Sequence, residues 1–299
     1  LFGNSVFRFS VPAMGAIGAA SAATAMYLPL FLVQVLGLST LRAGYTLTAL
    51  VLGIMLGSML LGRLTSWLGR TQPVLLLGTL LVALSVAHLA SRLSLHLNAW
   101  ELAAHLWVAG LGLGMSTSGF PLAAQNAAPP ERMGTATSAI QFSKSMGAAV
   151  GTAVLGTVLT VTLHQAFPGQ LRQHLTADGM PGQPTLFEEP AKIQAQFDLK
   201  LQQTRQLLTR CRGGDAQACQ QLQQEPMLRG MDLSKETEVE AFLKQRSQVL
   251  AEGLKQSAQE AFVVAIQRVF YGCAGLALLA FGLTLLMREP RALKENRPR

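Results

Sequence analysis

Charged side chains are scarce in this chain of 299 residues. Asp, Glu, Lys and Arg together make up 13% of it, whereas a soluble globular domain carries roughly 25%. This deficit argues against a soluble enzyme. The sequence also lacks a metal-ligand cluster, a phosphate-binding glycine loop and a nucleophile placed with its base. We therefore expect no catalytic site, no cofactor and no metal.

Long uncharged stretches take the place of the missing charges. Half of the residues are hydrophobic, and a helix needs about 20 apolar residues to cross a bilayer. Six stretches are long enough, at 9–41, 43–62, 71–91, 102–130, 145–163 and 269–287. The sequence therefore predicts an all-α membrane protein with a bundle of six transmembrane helices.

The positive charges indicate the orientation of these helices. The net charge is +8, and short cytoplasmic loops of membrane proteins are enriched in Lys and Arg. One side of the predicted bundle carries Arg42 and Arg92 in its short loops. The other side carries Arg8, Arg63, Arg70, Arg132, Arg288, Arg291, Lys294, Arg297 and Arg299. We therefore expect both ends in the cytoplasm, and the basic charge does not require a nucleic-acid partner.

These patterns divide the chain into four parts. Residues 1–163 hold five transmembrane helices, 261–288 form the last one and 289–299 are a cytoplasmic tail. Residues 164–260 are predicted to be an extracytoplasmic helical insertion, because apolar residues recur there at helical spacing.

Two cysteines in the predicted insertion flank a turn-like stretch. If the orientation is right, Cys211 and Cys219 lie on the oxidising side of the membrane, where disulfides persist. The sequence leaves a disulfide and two free thiols equally open.

Two sequence signatures resemble a known transporter family. The first is Tyr27-Leu28-Pro29-Leu30-Phe31-Leu32, followed by Val35-Leu36-Gly37-Leu38-Ser39 and Ala43-Gly44. The second is Pro129-Pro130-Glu131-Arg132, followed by Gly134, Ala136, Ser138, Gly147 and Gly151. They resemble the second half of the major facilitator superfamily, in its fourteen-span drug:proton antiporter (multidrug efflux) branch. Because the chain begins with Leu1 rather than Met, we expect a fragment of a longer polypeptide.

The resemblance implies a function and a set of partners. It implies the C-terminal half of a secondary transporter that exports lipophilic or drug-like compounds by proton antiport and alternating access. The location would be the bacterial inner membrane, and 164–260 would form a helical hairpin outside it. The implied partners are the N-terminal half of the same polypeptide, the lipid bilayer, lipophilic substrates, protons and a periplasmic adaptor protein.

The resemblance also implies which helices line the transport path. The third and sixth helices would be outer scaffolding, and polar side chains on the other four would face a cavity. These are Tyr27, Gln34, Thr46, Thr48, Ser116, Thr117, Gln125, Gln141, Lys144 and Ser145. Any of the Ser and Thr hydroxyls can alternatively bond to its own helix. Lys144 can alternatively extend to the membrane interface.

Small residues are predicted to allow close contact between helices. On a helical wheel Gly147 and Gly151 form a stripe beside the polar face of Gln141, Lys144 and Ser145. Gly53 and Gly57 are expected to act similarly. A basic turn over 62–70, with Gly62, Gly69 and Arg70, resembles the superfamily's signature loop. Ser66 and Trp67 stand there in place of its acid and base.

Three alternatives remain open at this stage. The chain could be a membrane anchor or assembly subunit that displays the 164–260 domain, or the permease subunit of a primary pump. Glu101 and His105 either form an outer proton port or serve as a helix cap and an interfacial residue.

Overall fold

The structure is a computed structural model that describes residues 4–94, 98–177, 199, 202–211, 213–224 and 236–288. All regular elements in these ranges are helices, which confirms the predicted all-α class. The helices are α1 Ser5–Gln34, α2 Thr40–Leu68, α3 Gln72–Arg92, α4 Ala99–Asn126, α5 Met133–Ala177, α6 202–211, α7 Ala216–Gln224 and α8 Glu236–Leu285. A short 3₁₀ turn, Pro130–Arg132, precedes α5. The tail predicted at 289–299 lies outside the described residues.

The chain forms two compact units. One comprises Leu1–Leu163 with Phe262–Arg299, and the other comprises His164–Ala261. The first unit has an apolar core to which α1, α2, α3, α4, α5 and α8 all contribute. Phe7, Phe31, Phe120 and Phe270 are fully buried in it.

Five described helices are long and apolar enough to cross a membrane, namely α1, α2, α3, α5 and α8. The remaining long helix, α4, has 28 residues but is not in that set. Its centre contains the glycines of Gly110-Leu111-Gly112-Leu113-Gly114 and the hydroxyls of Ser116 and Thr117, which lower its hydropathy. Six long helices therefore stand at the six predicted positions, and α4 differs from the others in composition.

Side-chain and glycine caps fix the helix ends. Asn4 Oδ1 accepts a hydrogen bond from the Val6 backbone N at 2.9 Å and begins α1. The end of α2 corrects the predicted turn, because α2 continues through Gly62 to Leu68. Gly62 lies inside the helix and does not end it. Gly69 adopts a left-handed φ of 67° and caps the helix.

The beginning of α4 differs in part from the expectation that Glu101 caps this helix. Asn98 accepts from the Trp100 N at 3.3 Å and serves as the N-cap. Glu101 makes an ion pair with Arg92, with Nε and Oε1 3.8 Å apart. Glu101 therefore joins α4 to the end of α3.

The second unit has its own small core. Leu208, Leu222, Val239 and Leu243 pack together from α6, α7 and α8. A disulfide joins Cys211 to Cys219, with their Cα atoms 4.7 Å apart. The Asp215 carboxylate accepts hydrogen bonds from the backbone of residues 217 and 218 at the start of α7.

Candidate functional site

The helices α1 and α5 touch through their backbones. A methyl group at Gly147 would overlap the carbonyl of Gly15, and one at Gly151 would overlap Ala19. Ser143 Oγ donates a hydrogen bond to the Val11 carbonyl at 2.6 Å. The glycine stripe of α5 is therefore a contact with α1, and it fixes the direction in which the rest of α5 faces.

Lys144 lies at the edge of this contact. A methyl group at Gly18 would overlap the Lys144 carbonyl oxygen and would lie 3.0 Å from its Cα. The Lys144 side chain is half-buried, and its ammonium makes no ion pair with any residue that the structure describes. Gln141 and Ser145 are exposed beside it. The polar face of α5 is thus an exposed surface next to a rigid helix contact.

Glycines also bring α2 and α4 together. Methyl groups at Gly53 and Gly57 would overlap the carbonyls of Trp107 and Leu111. Near this contact, Ser118 Oγ donates to Ser58 Oγ at 3.1 Å. Neither serine is among the sequence predictions, although Ser58 follows Gly57 directly. The contact orients α2 so that its remaining surface is open.

Among the five described helices that are apolar enough to cross a membrane, α2 and α5 are the least buried. Within the most apolar 18 residues of each helix, 22% of the residues are buried in α2 and 17% in α5. The corresponding shares are 61% in α1 and 56% in α3. The exposed side of α3 carries Leu77 and Leu84. The first unit therefore leaves α2 and α5 largely uncovered, whereas more than half of the apolar segment of α3 is buried.

The predicted pathway residues fall into two groups. Tyr27 and Ser116 lie in the interior, with exposures of 4% and 0%. Tyr27 Oη donates to the Thr152 carbonyl at 3.0 Å and joins α1 to α5. Ser116 Oγ donates to the Gly112 carbonyl at 2.8 Å within α4. Neither hydroxyl is therefore accessible from the exposed surface of α2 and α5.

The other predicted residues are exposed or half-buried. They are Gln34, Thr46, Thr48, Thr117, Gln125, Gln141, Lys144 and Ser145. The hydroxyls of Thr46, Thr48 and Thr117 bond to the carbonyls four residues earlier, as isolated helical threonines do. The structure brings Gln125 to α5, where its Nε2 donates to Thr137 Oγ1 at 2.9 Å.

The predicted signature residues have distinct surroundings. Gly62 lies within α2 and has open space around it, whereas Gly69 forms the turn and Arg70 is exposed.

In the part of the chain that the structure describes, no group of three or more His, Cys, Asp or Glu side chains could hold a metal ion.

An apolar groove that the sequence did not predict lies between α1, α5 and α8. Its volume is about 370 Å³. The small residues Gly15, Ala19, Gly151 and Gly272 line it together with Leu276. It exists because these helices carry glycine and alanine where larger side chains would fill the space.

Comparison with known proteins gives one family and several relatives. Residues 1–152 match the profile of the Major Facilitator Superfamily. The chain is 29% identical over 149 residues to Multidrug resistance protein 3 of Bacillus subtilis, covering 48% of this chain and 29% of that protein. It is 27% identical over 194 residues to the Multidrug transporter protein MdtP of the same organism, covering 64% and 35%. A Tetracycline resistance determinant of Streptomyces rimosus is 28% identical over 143 residues, covering 48% and 41%. The match thus spans less than half the length of each of these relatives.

Proposed function

The chain belongs to the Major Facilitator Superfamily, and we propose that it forms the C-terminal six-helix bundle of a transporter that exports lipophilic, drug-like compounds. It is a multi-pass membrane protein. Two relatives carry multidrug names and a third a tetracycline resistance name, which supports this class of substrate. We propose a transporter rather than an enzyme.

The exposed polar face of α5 carries this proposal. Gln141 and Ser145 are exposed within a membrane helix, and half-buried Lys144 lies between them. Polar groups facing hydrocarbon are costly, and a charge at mid-helix costs about 2.5–3.5 kcal/mol even on the lower scales. We propose that the N-terminal half of the polypeptide covers α2 and α5 and leaves a wet cavity in front of these side chains.

The exposed and half-buried polar residues form the proposed pathway. These are Gln34, Thr46, Thr48, Thr117, Gln125, Gln141, Lys144 and Ser145. Tyr27 and Ser116 are left out because their side chains lie inside the bundle. The contacts of α5 with α1 and of α2 with α4 would keep this wall rigid while the two halves move against each other.

Proton antiport is the proposed energy source. The sequence has no phosphate-binding glycine loop, and the described parts of α1, α2 and α3 carry no Asp or Glu. We therefore place the proton-carrying carboxylate in the N-terminal half. Lys144 would pair with a carboxylate in one conformation and release it in the other, which gives the two states different energies.

The proposed orientation follows the distribution of Lys and Arg. We propose a bacterial inner membrane, with both ends of this segment in the cytoplasm and 164–260 outside. The Cys211–Cys219 disulfide supports an outside location for that segment. The periplasmic adaptor protein stays a prediction. Membership of the superfamily favours secondary transport over an anchor or a subunit of a primary pump.

A reconstitution experiment tests the proposed function. The whole protein is placed in liposomes with an imposed pH gradient, and the movement of a lipophilic fluorescent dye is followed. We expect movement that depends on the gradient and stops when a protonophore dissipates it. Dye movement that requires ATP and ignores the gradient would support the primary-pump alternative instead.

A further inference from the structure

Two histidines on adjacent helices meet near the end of the bundle where α3 ends and α4 begins. His88 Nδ1 of α3 lies 2.5 Å from His105 Nε2 of α4. The ring centroids are 4.7 Å apart and the ring planes differ by 12°. Rings stacked face to face would keep all their atoms at van der Waals distance. The short nitrogen contact therefore means that the two rings meet edge to edge in nearly one plane.

The second nitrogen of His105 determines where the protons lie. His105 Nδ1 is 2.6 Å from the Glu101 carbonyl oxygen, which can only accept a hydrogen bond. Nδ1 therefore carries a proton, and in a neutral imidazole the other nitrogen has a free lone pair. His88 Nδ1 must then carry the proton that it donates to His105 Nε2. This tautomer follows from the hydrogen-bond pattern.

This arrangement has room for one more proton. A proton added at Nε2 of His88 makes that ring an imidazolium, and its Nδ1–H still donates to His105 Nε2. The bond is then charge-assisted and stronger. A second proton would occupy His105 Nε2, so that two N–H groups and two positive rings would face each other. The contact between α3 and α4 thus tolerates one added proton and opposes two.

The charged groups around the histidines are one ion pair and two further arginines. Arg92 on α3 and Glu101 on α4 form an ion pair beside the histidines, with side-chain exposures of 61% and 39%. The neighbouring helices α2 and α8 carry Arg42, which is exposed, and Arg268, whose guanidinium is 3.4 Å from Thr162 Oγ1. His96 lies outside the described residues. Proton uptake therefore adds a positive charge beside an ion pair whose own net charge is zero.

We infer that His88 and His105 together form a proton-binding site that takes up one proton between α3 and α4. The edge-to-edge nitrogens favour a proton over a metal ion, since 2.5 Å leaves no space between them for a coordinated cation. This inference concerns proton binding alone and holds whichever ion drives transport.

Nitrogen NMR of the whole protein in lipid nanodiscs tests this site. The protein is labelled with ¹⁵N-histidine, and the scalar coupling across the His88–His105 hydrogen bond is measured through a pH titration. We expect the coupling at neutral pH, its persistence after uptake of one proton and its loss in stronger acid.

Conservative variants separate proton sharing from simple packing. His88→Asn and His105→Gln place a carboxamide near the position of each bonded nitrogen but cannot titrate. In either variant the coupling should be lost. His164→Gln, which changes an exposed residue of the other unit, should leave the coupling unchanged. Absence of coupling in the unaltered protein, or its loss on uptake of the first proton, would overturn the inference.

Discussion

Gly18 of α1 packs directly against the backbone of Lys144 on α5. The position of Lys144 is therefore set by a glycine on another helix, which makes the contact because it has no side chain. A substitution at Gly18 must push α5 away and move the Lys144 side chain with it. The contact links the packing of the bundle to the proposed transport path.

Gly18→Val should destabilise the protein and impair transport together. Overpacking a tight contact costs about 1–3 kcal/mol, so thermal unfolding in detergent should occur at a lower temperature. Gly275→Val on α8 is the matched control, because a Cβ there meets no neighbouring atom. Equal melting temperatures for the two variants would contradict the backbone contact.

Cysteine labelling distinguishes the pathway residues from the interior ones. Ser145 is exposed and Ser116 is fully buried. In the whole protein, Ser145→Cys should react with a water-soluble maleimide, and a bound substrate should slow the reaction. Ser116→Cys should stay unreactive until the protein is unfolded.

The three cysteines of this segment should not react with the maleimide. Cys273 is buried, and Cys211 and Cys219 are bonded to each other. The idea that α5 lines an aqueous path would be wrong if Ser145→Cys were as unreactive as Ser116→Cys.

The disulfide of the second unit gives a prediction about compartment. Protein taken from cells without reducing agent should yield the Cys211 and Cys219 peptides as a cross-linked pair in mass mapping. Opening so short a loop should cost the local structure about 2–3 kcal/mol in the chain-entropy model. Reduction should therefore increase amide hydrogen exchange in α6 and α7.

Two alkylatable thiols in freshly isolated protein would count against the bridge. They would also weaken the assignment of 164–260 to the outside, because a bridge is expected in an oxidising compartment. A Ser variant of both cysteines is the control for the exchange measurement.

The helices were predictable because uninterrupted apolar runs dominate the sequence. Each of the six predicted stretches overlaps a long helix. The end of α2 was not predictable from composition, since Gly62 and Gly69 are both glycines in the same basic segment. Only the backbone shows that Gly69, and not Gly62, takes a left-handed φ.

Contacts between helices were less accessible to sequence reasoning. A glycine such as Gly53 signals close packing, but its partner, the Trp107 carbonyl, depends on which helices become neighbours. The same holds for Ser116, whose polarity suggested a cavity although its hydroxyl is satisfied within α4. The histidine pair did carry a signal, because positions 88 and 105 lie on either side of the α3–α4 connection, 17 residues apart.

Lys144 carries the central claim, which is that the exposed polar face of α5 belongs to a transport path. Removing its charge should abolish efflux, whereas Lys144→Arg keeps a cation and should keep much of the activity. The loss of a charge-assisted contact worth about 1.5–3 kcal/mol corresponds to a rate decrease of roughly tenfold or more. Ser143→Ala is the matched control, because Ser143 faces α1 and bonds to the Val11 carbonyl.

The most direct measurement is drug accumulation in an efflux-deficient bacterial host that expresses the whole protein at equal levels of each variant. We predict high accumulation with Lys144→Ala and low accumulation with Lys144→Arg, with Ser143→Ala and with the unaltered protein. Accumulation with Lys144→Ala as low as with the unaltered protein would contradict the account, because Lys144 would then extend to the membrane interface and have no part in transport.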